Sequence, residues 1–278
     1  MRLSAQTNVY GVIGDPVSHS LSPLIHNRWI GEAGIDAVYI ALHLKGETPV
    51  DDLRSLAHAG ICGLNITLPH KGSALTAALR SSPEAQRIGA ANTLTREEAA
   101  HWRADNTDTA GFSEAMRQMM GEDLRNQQIV LIGAGGAARA AAFVLAKSGV
   151  RLAIANRSRA NAEKLAADLA PGAETWGMDQ LGRLAEEADA VVNSASLGHT
   201  GEALPQLPAG RGRPFLDLSY GKAARETLLH AKAAGWAPHD GLVMLVAQAA
   251  EAFSLWFGLK PDLKGATDAC RAELAGQA

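Results

Sequence analysis

The residues best suited to chemistry fall in one glycine-rich turn and three short polar clusters. The turn is Gly133-Ala134-Gly135-Gly136-Ala137-Ala138. It matches Gly-x-Gly-x-x-Ala, with a β-branched and leucine run (QIVLI, 128–132) before it and an alanine-rich run after it. In that context the first glycine permits a tight turn and the second lets a pyrophosphate approach the backbone. Ala138 keeps the following helix close to the sheet. A helix starting there presents free N–H groups and a positive dipole end to phosphate. About 20 residues past the first glycine, NAD-binding units usually place a carboxylate for the ribose hydroxyls. This chain has Asn156-Arg157-Ser158-Arg159 instead. Guanidiniums and a hydroxyl suit a 2′-phosphate through charge-assisted hydrogen bonds, so NADP is the expected cofactor. A solvated loop with ordinary surface arginines is the plainer alternative.

The first polar cluster, Ser18-His19-Ser20-Leu21-Ser22-Pro23, sits between a strand and a helix start, where hydroxyls could hold an anion. Ser22 is also expected to cap that helix, with Pro23 at its first position. The second is Asn65-Ile66-Thr67-Leu68-Pro69-His70-Lys71. Alternation puts Asn65 and Thr67 on one face, and Lys71 lies past the strand end where ligands meet α/β sheets. Taken singly, Lys71 reads as a surface charge. The third joins Asn92-Thr93 to Asp105-Asn106-Thr107-Asp108. Asp108 has the plainer reading of a cap for a helix near Thr109.

The elements that must position these residues alternate. Strands are expected over 8–13, 37–44, 63–67, 128–132, 150–155, 190–193 and 215–218, and helices from about Pro23 to Gly34 and over 50–59, 137–148, 161–169 and 241–257. Such alternation predicts an α/β fold with parallel pairing and helices on the sheet faces. The pattern restarts after Arg125, so a second domain begins near residue 107. At 278 residues the chain has the length of two domains.

Hydrophobic residues make up 47% and charged residues 20% of the chain, which excludes a wholly disordered protein. The formal net charge of −3 gives no electrostatic footprint for nucleic acid. No apolar run reaches the roughly 20 residues of a membrane helix, and the first ten residues lack a signal-peptide core. Cys62 and Cys270 are too few for a disulfide framework, so a reduced, cytoplasmic setting is the simplest reading. The nine histidines show no metal-ligand spacing, and no metal is expected.

Several segments together resemble the shikimate dehydrogenase family. They are Ser20-x-Ser22-Pro23-x-x-His26-Asn27, Asn65-Ile66-Thr67-x-Pro69-x-Lys71, Ala90-x-Asn92-Thr93 and Asn106-Thr107-Asp108. The glycine turn through Ala140, Asn156-Arg157-Ser158 and Met244-Leu245-Val246-x-Gln248-Ala249-Ala250 continue the match in the same order. The resemblance runs from residue 10 to about 260. It implies NADP-dependent interconversion of 3-dehydroshikimate and shikimate, a step of chorismate and aromatic amino-acid biosynthesis. It also implies a substrate domain over 1–107, completed by C-terminal helices in 243–278. A Rossmann-type doubly wound domain would span 108–242, with a cleft between the two.

By the same resemblance Lys71 and Asp108 are the catalytic pair. Ser20 and Ser22 bind the substrate carboxylate, and Tyr220 assists there. Thr67, Asn92 and Gln248 contact the ring hydroxyls. Gly133, Ala134, Gly135, Gly136, Ala137 and Gly241 line the cofactor, and Asn156, Arg157 and Ser158 hold its 2′-phosphate. The expected partner is a small-molecule substrate, with the chain a monomer or homodimer. Three rivals stand beside this reading. A folate-linked dehydrogenase has a similar two-domain layout, but the Ser20-x-Ser22-Pro23 cluster argues for a small carboxylate and against a pterin. A quinate/shikimate dehydrogenase using NAD would carry an acidic residue at 156–157. A non-catalytic NADP-sensing regulator would be expected to lose the lysine–aspartate pair or gain a DNA-binding module.

Overall fold

The computed structural model describes residues 3–46, 49–195 and 204–276. The chain divides into two compact units, residues 1–111 with 245–278, and residues 112–244.

The first unit is built on β1 (Asn8–Gly14), β2 (Ala37–His43), β3 (Ile61–Ile66), β4 (Arg80–Ser81), β5 (Thr93–Arg96) and β6 (Trp102–Asp105), in the order β2-β1-β3-β5-β6-β4. Its helices are α1 (Ser22–Glu32), α2 (Pro49–His58), α3 (Lys71–Ala77), α4 (Pro83–Ile88) and the start of α5 (Asp108–Met120). Crossover helices α1 and α2 make β1 parallel to β2 and to β3. The other half departs from the expected all-parallel pairing, because β5 runs antiparallel to both β3 and β6. The cause is local. Only Glu97–His101 separates β5 from β6, too short for a crossover. Ala99 and Ala100 take left-handed φ values of 58° and 57° to reverse the chain there.

In the second unit β7 (Gln128–Ile132), β8 (Arg151–Ala155), β9 (Glu174–Trp176), β10 (Ala190–Asn193), β11 (Pro214–Asp217) and β12 (Ala237–His239) pair in the order β12-β11-β10-β7-β8-β9, all parallel. This is the doubly wound order, with its switch point between β7 and β10. The helices α6 (Gly136–Lys147), α7 (Arg159–Leu169), α8 (Leu181–Glu187) and α9 (Lys222–Ala233) connect the strands. Strands buried on both faces read as continuous apolar runs, which is why QIVLI was legible. Val130, Ile132, Val191 and Phe215 anchor this core. Among the described residues, no helix is long and apolar enough to cross a membrane.

Two late helices, α10 (Leu242–Phe257) and α11 (Leu263–Gly276), follow. Residues 245–278 supply aromatic core to the first unit. Trp256 lies 5.1 Å from Tyr10 by ring centroids, and Phe253 lies 5.5 Å from Trp29. Their polar edges are satisfied, with Trp256 Nε1 donating to Leu94 O at 3.2 Å and Trp29 Nε1 to Asp262 O at 3.0 Å. Gly63 of β3 is the place where this packing admits no side chain. A Cβ there would sit 2.6 Å from Trp256 Nε1 and 2.8 Å from the Tyr10 ring. Gly63→Ala is expected to cost about 1–3 kcal/mol, the range for overpacking a filled core. Urea unfolding checks this, and an unchanged midpoint would show that the aromatic cluster gives way freely.

Candidate functional site

In the first unit, Lys71 and Asp108 are brought together by short, separate pieces of backbone. β3 ends at Ile66, and the chain turns through Thr67 and a cis Leu68-Pro69 bond to start α3 at Lys71. The turn is held by bonds from Thr67 N to Ile13 O at 2.8 Å and from Asp15 N to Leu68 O at 2.9 Å. β6 leads through Asn106 and Thr107 into α5, whose first residue is Asp108. Lys71 Nζ donates to Asp108 Oδ2 at 2.5 Å, with the two side chains only 12% and 6% exposed. Lys71 is therefore no solvated surface charge, and the Asp108 carboxylate faces Lys71.

A buried carboxylate needs donors on both oxygens, and Asn92 supplies the second. Its Nδ2 lies 2.9 Å from Asp108 Oδ1, 3.0 Å from Thr107 Oγ1 and 3.1 Å from Gln248 Oε1. Asn92 Oδ1 accepts from Thr107 N at 2.6 Å, which ties the start of α5 to the end of β5's approach. Gln248 is oriented by its own Nε2 donating to Leu245 O at 2.8 Å. Asn92, Asp108 and Gln248, named from separate segments, thus share one buried network, and Lys71 joins it through Asp108. Thr107 (2% exposed), Thr93 and Asn65, members of the same polar clusters with no role assigned from sequence, belong to this network too. Their polarity stands in the sequence, whereas their burial and mutual bonding appear only in the fold.

Ser20, Ser22 and Thr67 flank the C-terminal ends of β1 and β3. Ser22 corrects one expectation. It does not cap α1 but is its first residue, because Leu21 adopts a helical backbone and takes the cap position. Ser20 Oγ instead accepts from Ser22 N at 3.3 Å. Thr67 is half-buried, and among the described residues no hydrogen bond from its hydroxyl is formed.

In the second unit, Gly133 follows β7 with φ at +108°, a conformation that favours glycine. Its N–H donates to Ala155 O at 2.9 Å. Gly135 is the N-cap of α6 with no side-chain cap, and a Cβ there would meet nothing within 4 Å. Gly136 and Ala137 form the first turn, and Ala138 is fully buried. Ala134 completes the turn between the two glycines. The open space at Gly135 and the uncapped helix end fit a dinucleotide pyrophosphate. After β8, Asn156 Nδ2 donates to Ser158 O at 2.9 Å and shapes the loop, leaving Arg157 and Ser158 exposed. Arg159 pairs with Glu163 at 3.0 Å on α7. These residues fit a 2′-phosphate, with Arg157 the cation on the loop itself.

Gly241 is glycine for a steric reason, since a Cβ would run into the Leu218 carbonyl, and its N–H donates to Ser219 O at 2.8 Å. Tyr220 stands half-buried in the turn after β11. That turn is fixed by Asp217, 1% exposed, which accepts from Asn193 Nδ2 at 2.9 Å and Ser219 N at 2.8 Å. Burial pushes the Asp217 carboxyl up to about 6 against those hydrogen bonds. Among the described residues, no cluster of His, Cys, Asp or Glu could hold a metal ion.

Three family models match the chain. The shikimate dehydrogenase substrate binding domain matches residues 12–94, shikimate / quinate 5-dehydrogenase residues 114–200, and the shikimate 5'-dehydrogenase C-terminal domain residues 241–271. A shikimate dehydrogenase (NADP(+)) of Hyphomonas neptunium is 48% identical over 266 residues, covering 95% of this chain and 97% of the relative. The crystal structure of shikimate dehydrogenase from Aquifex aeolicus superposes with a TM-score of 0.87 at 30% identity, over 97% of this chain and all of that one. Shikimate 5-dehydrogenase from Thermus thermophilus, in complex with NADP(H) and shikimate, gives 0.78 at 34% identity over 95% and 99%.

The Asn92 network makes its own prediction. Asn92→Ala strips a donor from a buried carboxylate and an acceptor from Thr107 N, so a loss of about 2–3 kcal/mol is expected, as for buried groups left unpaired. Chemical denaturation reads it, and a loss below about 0.5 kcal/mol would mean that water replaces the amide without cost.

Proposed function

The chain belongs to the shikimate dehydrogenase family, and on that premise we propose that it interconverts 3-dehydroshikimate and shikimate, with NADP as its cofactor. The observation that carries the reading is the buried Lys71–Asp108 pair, held on its second oxygen by Asn92. The first unit, residues 1–111 with 245–278, serves as the substrate and catalytic part, and the second, residues 112–244, as the NADP-binding part. A cytoplasmic location accords with the free thiols Cys62 and Cys270. A monomer or homodimer completes the reading.

When bound, NADPH supplies the hydride that reduces the substrate ketone. The ketone oxygen then carries negative charge, which the Lys71 ammonium stabilises before giving it a proton. Both oxygens of Asp108 accept hydrogen bonds, one from Lys71 and one from Asn92. Asp108 aims the Lys71 ammonium and balances its charge. Ser20 and Ser22 offer the substrate carboxylate a hydroxyl and a helix start, with Tyr220 assisting at that end. Thr67, Asn92 and Gln248 serve the ring hydroxyls. Gly133 to Ala137 cradle the pyrophosphate, Gly241 keeps backbone close to the cofactor, and Asn156, Arg157 and Ser158 read the 2′-phosphate. The loop holds no carboxylate, which favours NADP over NAD and sets the NAD-linked quinate/shikimate reading second.

Shikimate oxidation with NADP, followed by the absorbance of the NADPH formed, tests the activity. Lys71→Ala should lower kcat by about 10²–10⁴, the range for a positioned acid–base group, with a smaller change in KM. Asp108→Asn should act on the same step, so the double variant should be little worse than the worse single one. A Lys71→Ala enzyme with normal kcat would remove the assignment.

For the cofactor, Arg157→Ala should weaken NADP(H) binding by roughly tenfold or more, the worth of one charge-assisted hydrogen bond. NAD(H) binding should stay nearly constant. Titration of both nucleotides decides this, and equal losses would show that the 2′-phosphate is not read there.

A further inference from the structure

The His26-Asn27 pair of the serine–proline segment takes no part in the chemistry above, yet both residues converge on Tyr39. Asn27 Nδ2 donates to Tyr39 O at 2.8 Å, and Tyr39 N donates to Asn27 Oδ1 at 2.9 Å. The amide side chain thus does for β2, the outermost strand, what a neighbouring strand would do. His26 lies flat on the Tyr39 ring, with centroids 4.2 Å and planes 7° apart. It is fully buried, and among the described residues neither ring nitrogen has a hydrogen-bond partner. Burial holds its pKa down to about 3, opposed in part by the Asn65 side chain. It therefore packs as a neutral aromatic plate. Trp29 and Trp256 close around it at 5.6 and 5.3 Å. Tyr39 itself is 1% exposed.

In the structure the hydrogen bonds run from Tyr39 toward Asp108. A phenol has a single O–H, and that of Tyr39 reaches Asn65 Oδ1 at 2.7 Å. Asn65 Nδ2 donates to Thr93 Oγ1 at 3.2 Å. The Thr93 hydroxyl, having accepted, passes its own proton to Thr107 Oγ1 at 3.1 Å or Asn92 Oδ1 at 3.3 Å. Thr107 donates to Asn92 Oδ1 by its hydroxyl at 3.2 Å and its backbone N–H at 2.6 Å. Asn92 Nδ2 then faces Asp108 Oδ1 at 2.9 Å. The run ends on the carboxylate that holds Lys71.

We propose that Tyr39 is a positioning residue for Asp108: clamped by His26 and Asn27, its hydroxyl sets the direction of the Asn65–Thr93–Thr107–Asn92 chain that orients the carboxylate on Lys71. The inference rests on the catalytic reading of that pair. Without the Tyr39 proton, Asn65 is free to turn its amide over, and every hydroxyl beyond it loses its fixed sense. Polarised chains of this kind strengthen each member in a buried setting.

The test is steady-state kinetics of Tyr39→Phe in the wild-type and Asp108→Asn backgrounds, with the amide NMR signal of the Asn92 side chain read alongside. In the wild-type background kcat should fall about three- to tenfold, the worth of one neutral hydrogen bond, while KM for shikimate stays within about twofold. In the Asp108→Asn background the same substitution should change kcat by less than about 1.5-fold, since residues acting through one another are not additive. The Asn92 signal should move in Tyr39→Phe. Thr93→Val breaks the next link, should repeat the pattern, and stands in if Tyr39→Phe does not fold. An unchanged kcat in Tyr39→Phe, equal losses in both backgrounds, or an unmoved Asn92 signal would overturn the inference. A wild-type protein that did not oxidise shikimate would instead remove the functional reading, and the NMR signal would still decide the placement of Tyr39.

Discussion

The first unit is organised around the need to keep one buried carboxylate fully hydrogen-bonded. Asp108 is 4% exposed, and a charge so placed is tolerable only with donors on each oxygen. Lys71 covers one and Asn92 the other. That requirement reaches outward. It fixes where α3 begins, how β5 is approached from Ala91, and why α5 starts at Asp108. Ala91 N donates to Lys71 O and Asn92 N to Asp105 O, so the main chains bearing the three side chains are themselves bonded together. Precision of this kind suits a reaction in which charge appears on an oxygen for a moment and must find its partner already in place.

The second unit solves the opposite problem, leaving polar groups deliberately unsatisfied. The N-terminus of α6 has no side-chain cap, and Gly135 leaves open space before it. An all-parallel sheet gathers its loops at one end, and the switch point between β7 and β10 splits them apart there. The first unit spends its polar side chains on one another, while the second leaves backbone donors uncapped at the start of α6.

Much of this was legible because some residue types answer to a single requirement. Gly133 at positive φ, the apolar run of β7 and the arginine loop after β8 each declare their setting. What stayed hidden depended on contacts between distant segments. Lys71 taken singly resembles a surface charge; the family resemblance pairs it with Asp108, 37 positions away, but only the fold shows the contact. Tyr39 sits in an ordinary strand, and only the partners of its hydroxyl distinguish it. The antiparallel β5–β6 hairpin escaped because the signal lay in a short connection with two alanines at positive φ, residues that do not announce a turn. Ser22 misled because a serine before proline is a strong cap signal, and the helix started one residue earlier than that signal implied.

The division of the first unit between residues 1–111 and 245–278 bears on how the molecule is made. Chains emerge from the ribosome in sequence order, and compact units fold as their residues become available. The second unit is one continuous stretch, complete when residue 244 has emerged. The first cannot close until Phe253, Trp256 and Phe257 arrive to cover Tyr10, Trp29 and His26. Until then those aromatic surfaces face water or a chaperone. The stretch synthesised before the second unit is thus finished after it, and Gln248 reaches the Asn92 network only once the chain past residue 244 has emerged.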